Sequence, residues 1–240
     1  MKLIIEENEH KMSESAMFIL LGAMMQDKRV NISLTSGRSP KTLYEMMIPY
    51  VKDQDKFKDI QYYLFDENPY IDETYGPNWN EMQELFFEKA HIPNERIHIM
   101  NQDNWQDFDN DIRNAGGIDV MIIGLGYDGH FCGNCPRCTP FDSYTYCIDF
   151  KDKQAVNPDY KDRPLQPFTL TMGPKSLMRV HHLVMIVNGK EKAEIFKTNI
   201  IEKPINKYIP ATILKLHPNF TVICDQEAAS LIDPEDYKRI

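Results

Sequence analysis

The chain reads as an α/β protein with a mostly parallel sheet flanked by helices. Three observations predict this. Short apolar runs of strand length recur along the 240 residues. Stretches of helical length separate them, which is the pattern of βαβ units. Glycines and polar groups cluster just past the apolar runs, where open parallel sheets place their ligands.

The predicted strands are residues 30–35, 60–65, 118–123, 183–187 and 220–224, each an apolar run of strand length. The predicted helices lie before, between and after them, at 14–26, 40–51, 79–89, 105–114, 190–199 and 226–231. No internal repeat or low-complexity tract interrupts this order. A single domain over 1–240 is therefore expected. Residues 139–167 are Pro-rich and polar with little periodicity, so a lid or substrate loop is expected there, with a disordered segment the plainer alternative.

Hydrophobic content of 42% and charged content of 26% are ordinary for a soluble globular protein. No apolar run approaches the roughly 20 residues that span a bilayer, and no signal segment opens the chain. The expected location is the cytoplasm. A net charge of −9 gives no global field for nucleic acid or an anionic membrane. An anionic ligand would need a locally positive pocket.

Chemistry concentrates at the predicted strand ends. Ser36-Gly37-Arg38-Ser39-Pro40 joins a strand to a helix. Ser39 is expected to cap that helix and Pro40 to open it. Free N–H groups, two hydroxyls and a guanidinium there would suit a phosphate. Asp66-Glu67 follows the second strand, and a carboxylate so placed can act as a base. Capping of a turn by Asp66 is the plainer alternative. Gly124-Leu125-Gly126-Tyr127-Asp128-Gly129-His130 follows the third strand. Its glycines allow a sharp turn or close approach to a ligand. Its Asp and His supply an acid/base pair near neutral pH. The spacing also matches a dinucleotide fingerprint, but Phe131-Cys132-Gly133-Asn134-Cys135-Pro136 is a poor helix start, which rules that match out. Lys192 lies one turn into a later helix; a solvated helix face is the plainer reading, and a reach towards a phosphate as a point charge is the alternative. His181 and His182 read as surface residues ahead of a strand, and His217 as a polar loop residue.

Cys132, Cys135 and Cys138 form Cys-x-x-Cys-x-x-Cys. A structural zinc site usually takes a second pair of ligands, which this chain lacks, although His130 and Cys147 could contribute. Reduced thiols lining a loop are expected, with no metal.

Six collinear segments resemble the glucosamine-6-phosphate deaminase/6-phosphogluconolactonase family. They are Leu34–Pro40, Phe65-Asp66-Glu67, Gly124–His130, Thr171-Met172-Gly173, Gly189–Ala193 and Pro210–Pro218. The resemblance covers nearly the whole chain and implies a modified Rossmann-type sheet, related more distantly to ribose-5-phosphate isomerases. It implies a phosphate site at Ser36, Gly37, Arg38, Ser39 and Lys192. It makes Asp66 the group that moves a proton between sugar carbons 1 and 2. Asp128 and His130 would serve ring opening, with Glu67 and Gly126 beside the substrate. No cofactor is implied. The implied partner is a phosphorylated sugar, and a homo-oligomer is compatible with it.

Asp66-Glu67-Asn68 lacks the arginine usual in lactonases, and Pro210–Pro218 resembles the deaminase ending. Both features favour an isomerising deamination of glucosamine 6-phosphate or a close relative. Lactone hydrolysis and a non-catalytic sugar-phosphate sensor are the alternatives. Two departures mark the chain as divergent. The deaminase glutamate position holds Cys135. The usual phosphate-binding arginine has no counterpart, because Arg163 stands too close to Thr171; Arg38 would supply the charge instead.

Overall fold

A computed structural model describes residues 1–149, 164–233, 235 and 236. Its main sheet has seven strands: β1 (Lys2–Glu6), β2 (Val30–Leu34), β3 (Ile60–Leu64), β5 (Ile97–Ile99), β6 (Val120–Gly124), β9 (His182–Val187) and β10 (Phe220–Asp225). Their order is β1-β10-β9-β6-β2-β3-β5, and every pairing is parallel. A second, antiparallel sheet joins β4 (Asp66–Glu67), β8 (Phe168–Thr171) and β7 (Tyr146–Asp149).

Strand side chains alternate between two cores. Val30, Ile32 and Leu34 of β2, with Val120 and Ile122 of β6, enter one core with α1 (Glu9–Met24) and α2 (Lys41–Val51). Met121 and Ile123 of β6, with Leu183, Met185 and Val187 of β9, enter the other with α4 (Phe108–Asn114), α5 (Pro174–Leu177) and α6 (Ala193–Phe196). A sheet buried on both faces explains why its strands read as continuous apolar runs.

All five predicted strands are present, and the sequence reading missed β1, β4, β5, β7 and β8. Those five are short or belong to the small sheet and the edges. Helix α1 begins at Glu9, earlier than expected, because the Asn8 side chain caps it by accepting the Lys11 N–H at 3.0 Å. The expected helix at 79–89 starts at Pro77 as α3 (Pro77–Met82) and widens into a π turn over Gln83–Phe87. Residues 226–231 form turns instead of a helix; the Asp225 carboxylate takes the Ala228 N–H at 2.7 Å and holds them.

Ser39 does not cap α2. The helix starts at Lys41, Pro40 occupies the cap position, and no side chain bonds there. Ser39 stands one residue too early to reach the first turn. His182 lies within β9, with Nε2 2.9 Å from Thr221 Oγ1. His217 is buried, with Nε2 2.9 Å from the Val180 carbonyl, so it is a core residue.

The flanks of the expected 139–167 loop are built into the small sheet. Strand β7 pairs with β8, and the Gln166 N–H donates to Pro69 O at 2.8 Å. Residues 150–163, including Arg163, lie outside the described residues. Among the described residues, no helix is long and apolar enough to cross a membrane.

Candidate active site

Strands β9, β6, β2 and β3 are neighbours in that order and run parallel. Their exits therefore stand side by side, and they carry Lys192, the Asp128–His130 loop, the 36–39 loop and Asp66.

Asp66 begins β4 and pairs with Thr171 of β8. Asn78 Nδ2 donates to both Asp66 O and Asp66 Oδ1, each at 3.0 Å. Asn78 Oδ1 accepts the Ser36 hydroxyl at 3.0 Å. One amide thus ties the expected base to the loop after β2. Thr171 Oγ1 also accepts the Gly133 N–H at 2.9 Å, which brings the chain after His130 onto the same strand pair.

The β6 loop folds back on itself. The Gly126 N–H donates to His130 O at 2.8 Å, and the Gly129 N–H donates to Gly126 O at 3.0 Å. Asp128 Oδ1 accepts the His130 N–H at 3.0 Å and lies 2.6 Å from His130 Nδ1. The bond from His130 holds the Asp128 pKa down to about 2. An ionised carboxylate only accepts, so Nδ1 carries the proton and Nε2 is the nitrogen presented for acid/base work. Both side chains are about half exposed, His130 at 43% and Asp128 at 57%, so they are open to solvent. A Cβ on Gly126 would stand 2.2 Å from His130 Nδ1. Gly126 therefore seats the imidazole ring.

In the 36–39 loop, Gly37 adopts φ +99°, a left-handed conformation that favours glycine. Tyr44 anchors the start of the loop by donating its hydroxyl to Thr35 O at 2.5 Å and accepting the Thr35 N–H at 3.1 Å. The Gly37 N–H donates to Glu81 Oε2 at 3.2 Å. Arg38 is exposed, and Ser39 is partly buried.

Lys192 is buried between β9 and the β6 loop. Its ammonium donates to Leu125 O at 2.6 Å and lies 3.3 Å from the centre of the Tyr127 ring. Burial lowers its pKa to about 8, against the opposing pull of Glu191 and Asp128. The turn that delivers it is pinned by Asp225, whose carboxylate oxygens accept the Gly189 N–H at 3.2 and 3.0 Å.

Glu67 faces inward. It is fully buried and accepts three backbone N–H groups, from Asn68 at 2.8 Å, Asn78 at 3.2 Å and Trp79 at 2.9 Å. Two of those amides belong to the first turn of α3, so the carboxylate caps that helix from a distance. Burial pushes its pKa up to about 7 although the N–H groups oppose the shift.

The Cys135 thiol points to Gly133 O at 3.5 Å and the Cys138 thiol to Cys135 O at 3.5 Å. None of the five cysteines is joined in a disulfide among the described residues. Among the described residues, no three His, Cys, Asp or Glu side chains converge as a metal site.

Sequence reasoning missed Asn78 and Glu81, and gave Asp225, at the end of its strand, no specific role. Asn78 and Glu81 lie on α3 and meet the 36–37 segment across more than 40 residues, a contact without a local signal. Asp225 ends an apolar run and is visible as a polar residue there, but its hold on the Gly189 turn exists only in three dimensions.

Known proteins resemble this chain over nearly its whole length. A glucosamine-6-phosphate deaminase of Shouchella clausii (strain KSM-K16) is 30% identical over 244 residues, covering 96% of this chain and 97% of the relative. A glucosamine-6-phosphate deaminase of Thermoanaerobacter pseudethanolicus is 31% identical over 252 residues, covering 100% and 98%. Among solved structures, a monomeric glucosamine-6-phosphate deaminase superposes with a TM-score of 0.80 at 24% identity, over 96% of this chain and 100% of that one. A 6-phosphogluconolactonase from Leishmania guyanensis superposes with a TM-score of 0.75 at 17% identity, over 97% and 98%. At these identities the superpositions establish the fold. The family model for glucosamine-6-phosphate isomerases/6-phosphogluconolactonase matches residues 6–223, which contain every strand exit that builds the site, and the chain belongs to that family.

Proposed function

We propose that the protein converts glucosamine 6-phosphate, or a close amino-sugar phosphate, to fructose 6-phosphate and ammonia. One observation carries this reading. Four adjacent strand exits bring a carboxylate, an Asp–His pair, an N–H and hydroxyl loop and a buried lysine to one edge of the sheet. The full-length resemblance to proteins named glucosamine-6-phosphate deaminase supports the substrate class.

In this reading Ser36, Gly37, Arg38, Ser39 and Lys192 hold the phosphate. His130, oriented by Asp128, transfers a proton at the sugar ring oxygen through Nε2 and opens the ring. Asp66 removes the proton from carbon 2 and returns it to carbon 1. Nitrogen leaves as ammonia and one water enters, so the balance is hydrolytic. Glu67 and Gly126 act one step removed from the substrate, as helix cap and ring seat. We place the reaction in the cytoplasm.

The test is coupled release of ammonia and fructose 6-phosphate by the purified protein. Asp66→Asn is expected to lower kcat by a factor on the order of 10² to 10⁴ while sugar-phosphate binding persists. Retained turnover would remove Asp66 as the base. Lactone hydrolysis is the second reading, and Cys135 favours it: His130 has Asp128 as its orienting carboxylate and needs no glutamate to activate water. Faster loss of 6-phosphogluconolactone than the spontaneous rate, without ammonia release from the amino sugar, would select it. Binding without turnover of either compound would leave the sensor reading.

A further inference from the structure

A second site lies at the other end of β6. The candidate active site stands at the exit of that strand, and a cavity of about 270 Å³ stands at its entry, lined by Gly116, Gly117 and Ile118. Ile112, Ile118, Met172 and Val180 give the cavity an apolar body. Arg113, Arg179 and Asp109 also line it. Ser176, only 3% exposed, lines it too. The Ser176 hydroxyl has no hydrogen-bond partner among the described residues. A buried hydroxyl without a partner is a standing cost that a polar ligand atom can relieve.

The charges around the cavity favour an anion. Two guanidinium groups outnumber one carboxylate, and Asp109 Oδ2 is already engaged by the Thr145 N–H at 2.7 Å. The Arg179 guanidinium rests on the Tyr144 ring, 4.5 Å from its centre, and donates to the Tyr144 hydroxyl. Lys175 lies over the same ring at 4.9 Å. Arg113 donates to Asn110 Oδ1 at 2.9 Å. Each guanidinium has five N–H donors, so these bonds leave donors for a ligand.

We propose that this cavity binds a small planar organic monoanion, a carboxylate on an aromatic ring with a hydroxyl at the opposite end. The carboxylate meets Arg113 and Arg179, the ring lies among Ile112, Ile118, Met172 and Val180, and the hydroxyl reaches Ser176. The volume is just below the roughly 300–1,000 Å³ usual for small-molecule sites, so a single ring is the matching size.

An occupant would also touch the frame of the candidate active site. Met172 lines the cavity, its N–H donates to Phe65 O at 2.8 Å, and its carbonyl accepts Asn134 Nδ2 at 2.8 Å. Phe65 immediately precedes Asp66, and Asn134 lies on the chain just after His130.

The experiment is a calorimetric titration of the full chain with 4-hydroxybenzoate and with benzoate. Saturable binding is expected, with 4-hydroxybenzoate the tighter ligand. The double variant R113Q/R179Q should bind about ten-fold more weakly or worse, because both charged donors are lost. Both arginines are exposed, so the variant should fold. Ser176→Ala should keep benzoate affinity and abolish the advantage of 4-hydroxybenzoate. Absence of saturable binding would overturn the proposal, as would binding that the double arginine variant retains in full. The readout is binding, so the result does not depend on which reaction the protein catalyses.

Discussion

The Glu81 carboxylate accepts the Gly37 N–H at 3.2 Å. It places a negative charge on a loop amide assigned to the sugar phosphate. Asn78, three residues earlier on α3, takes the Ser36 hydroxyl in the same way. Helix α3 therefore occupies two of the loop's donors. A phosphate must displace Glu81 or bind beside a like charge. Glu81→Gln keeps an acceptor oxygen and removes the charge. The variant should bind inorganic phosphate and the sugar phosphate about five-fold more tightly, on the order of 1 kcal/mol, with little change in kcat. Titration with inorganic phosphate and a KM measurement check this. Unchanged affinity would mean that the phosphate lies elsewhere.

Lys192 supplies a pH dependence with a definite sign. Burial lowers its pKa from the ordinary 10.5 to about 8. Below that value the ammonium is charged and attracts phosphate; above it the charge is lost. KM for the sugar phosphate should therefore rise as pH climbs from 7 to 9. In Lys192→Met, KM should be high throughout and lose that dependence. The linkage to stability runs the other way. Between about pH 8 and 10.5 the unfolded chain holds a proton that the folded protein lacks, so the unliganded fold gains stability as pH rises. Thermal melts across that range measure it.

The strand exits were legible because three of their signals are local. A glycine-rich turn, an Asp-Glu pair and an Asp-x-His triplet each follow an apolar run, and a parallel sheet gathers such ends by topology alone. What they do with one another was not legible. Glu67 and Asp66 look equivalent as adjacent carboxylates. Only the position of α3, twelve residues later, turns Glu67 inward to its amides and leaves Asp66 at the site. A separation of more than 40 residues hid the contacts of Asn78 and Glu81. Ser39 misled for a local reason: two good capping signals stood in succession, and Pro40 took the position. The small sheet escaped notice because β4 is two residues long and β7 borders the aperiodic 139–167 segment.

Glu67 should behave as a structural carboxylate. In Glu67→Gln the new amide NH₂ must face a backbone N–H, which leaves a buried donor unpaired. The expected loss is about 1–3 kcal/mol of stability, read from denaturant melts. The pH sign is set by burial, which raises this pKa from 4.5 to about 7. A raised carboxyl pKa favours the protonated form in the fold. Its contribution is complete below about pH 4.5 and is lost as pH rises through 7. The wild-type advantage over the variant should therefore be larger at pH 5 than at pH 8. An equal gap at both values would mean that Glu67 stays ionised throughout.

Gly126 tests whether the imidazole must sit where it does. A Cβ there would stand 2.2 Å from His130 Nδ1 and Cε1, well inside contact distance. The ring would have to leave its seat, and with it the 2.6 Å bond to Asp128. Gly126→Ala disturbs neither the phosphate loop nor Asp66, so substrate should still bind. Chemistry should suffer instead, because a base displaced by about 1 Å can cost on the order of 10²-fold in rate. The expected pattern is a large fall in kcat with KM little changed. The histidine Nδ1 proton resonance reports the cause directly: it should shift as the Asp128 bond lengthens. A variant that turns over normally would mean that His130 works from another position, and that the Asp128 bond holds the loop without aiming the ring.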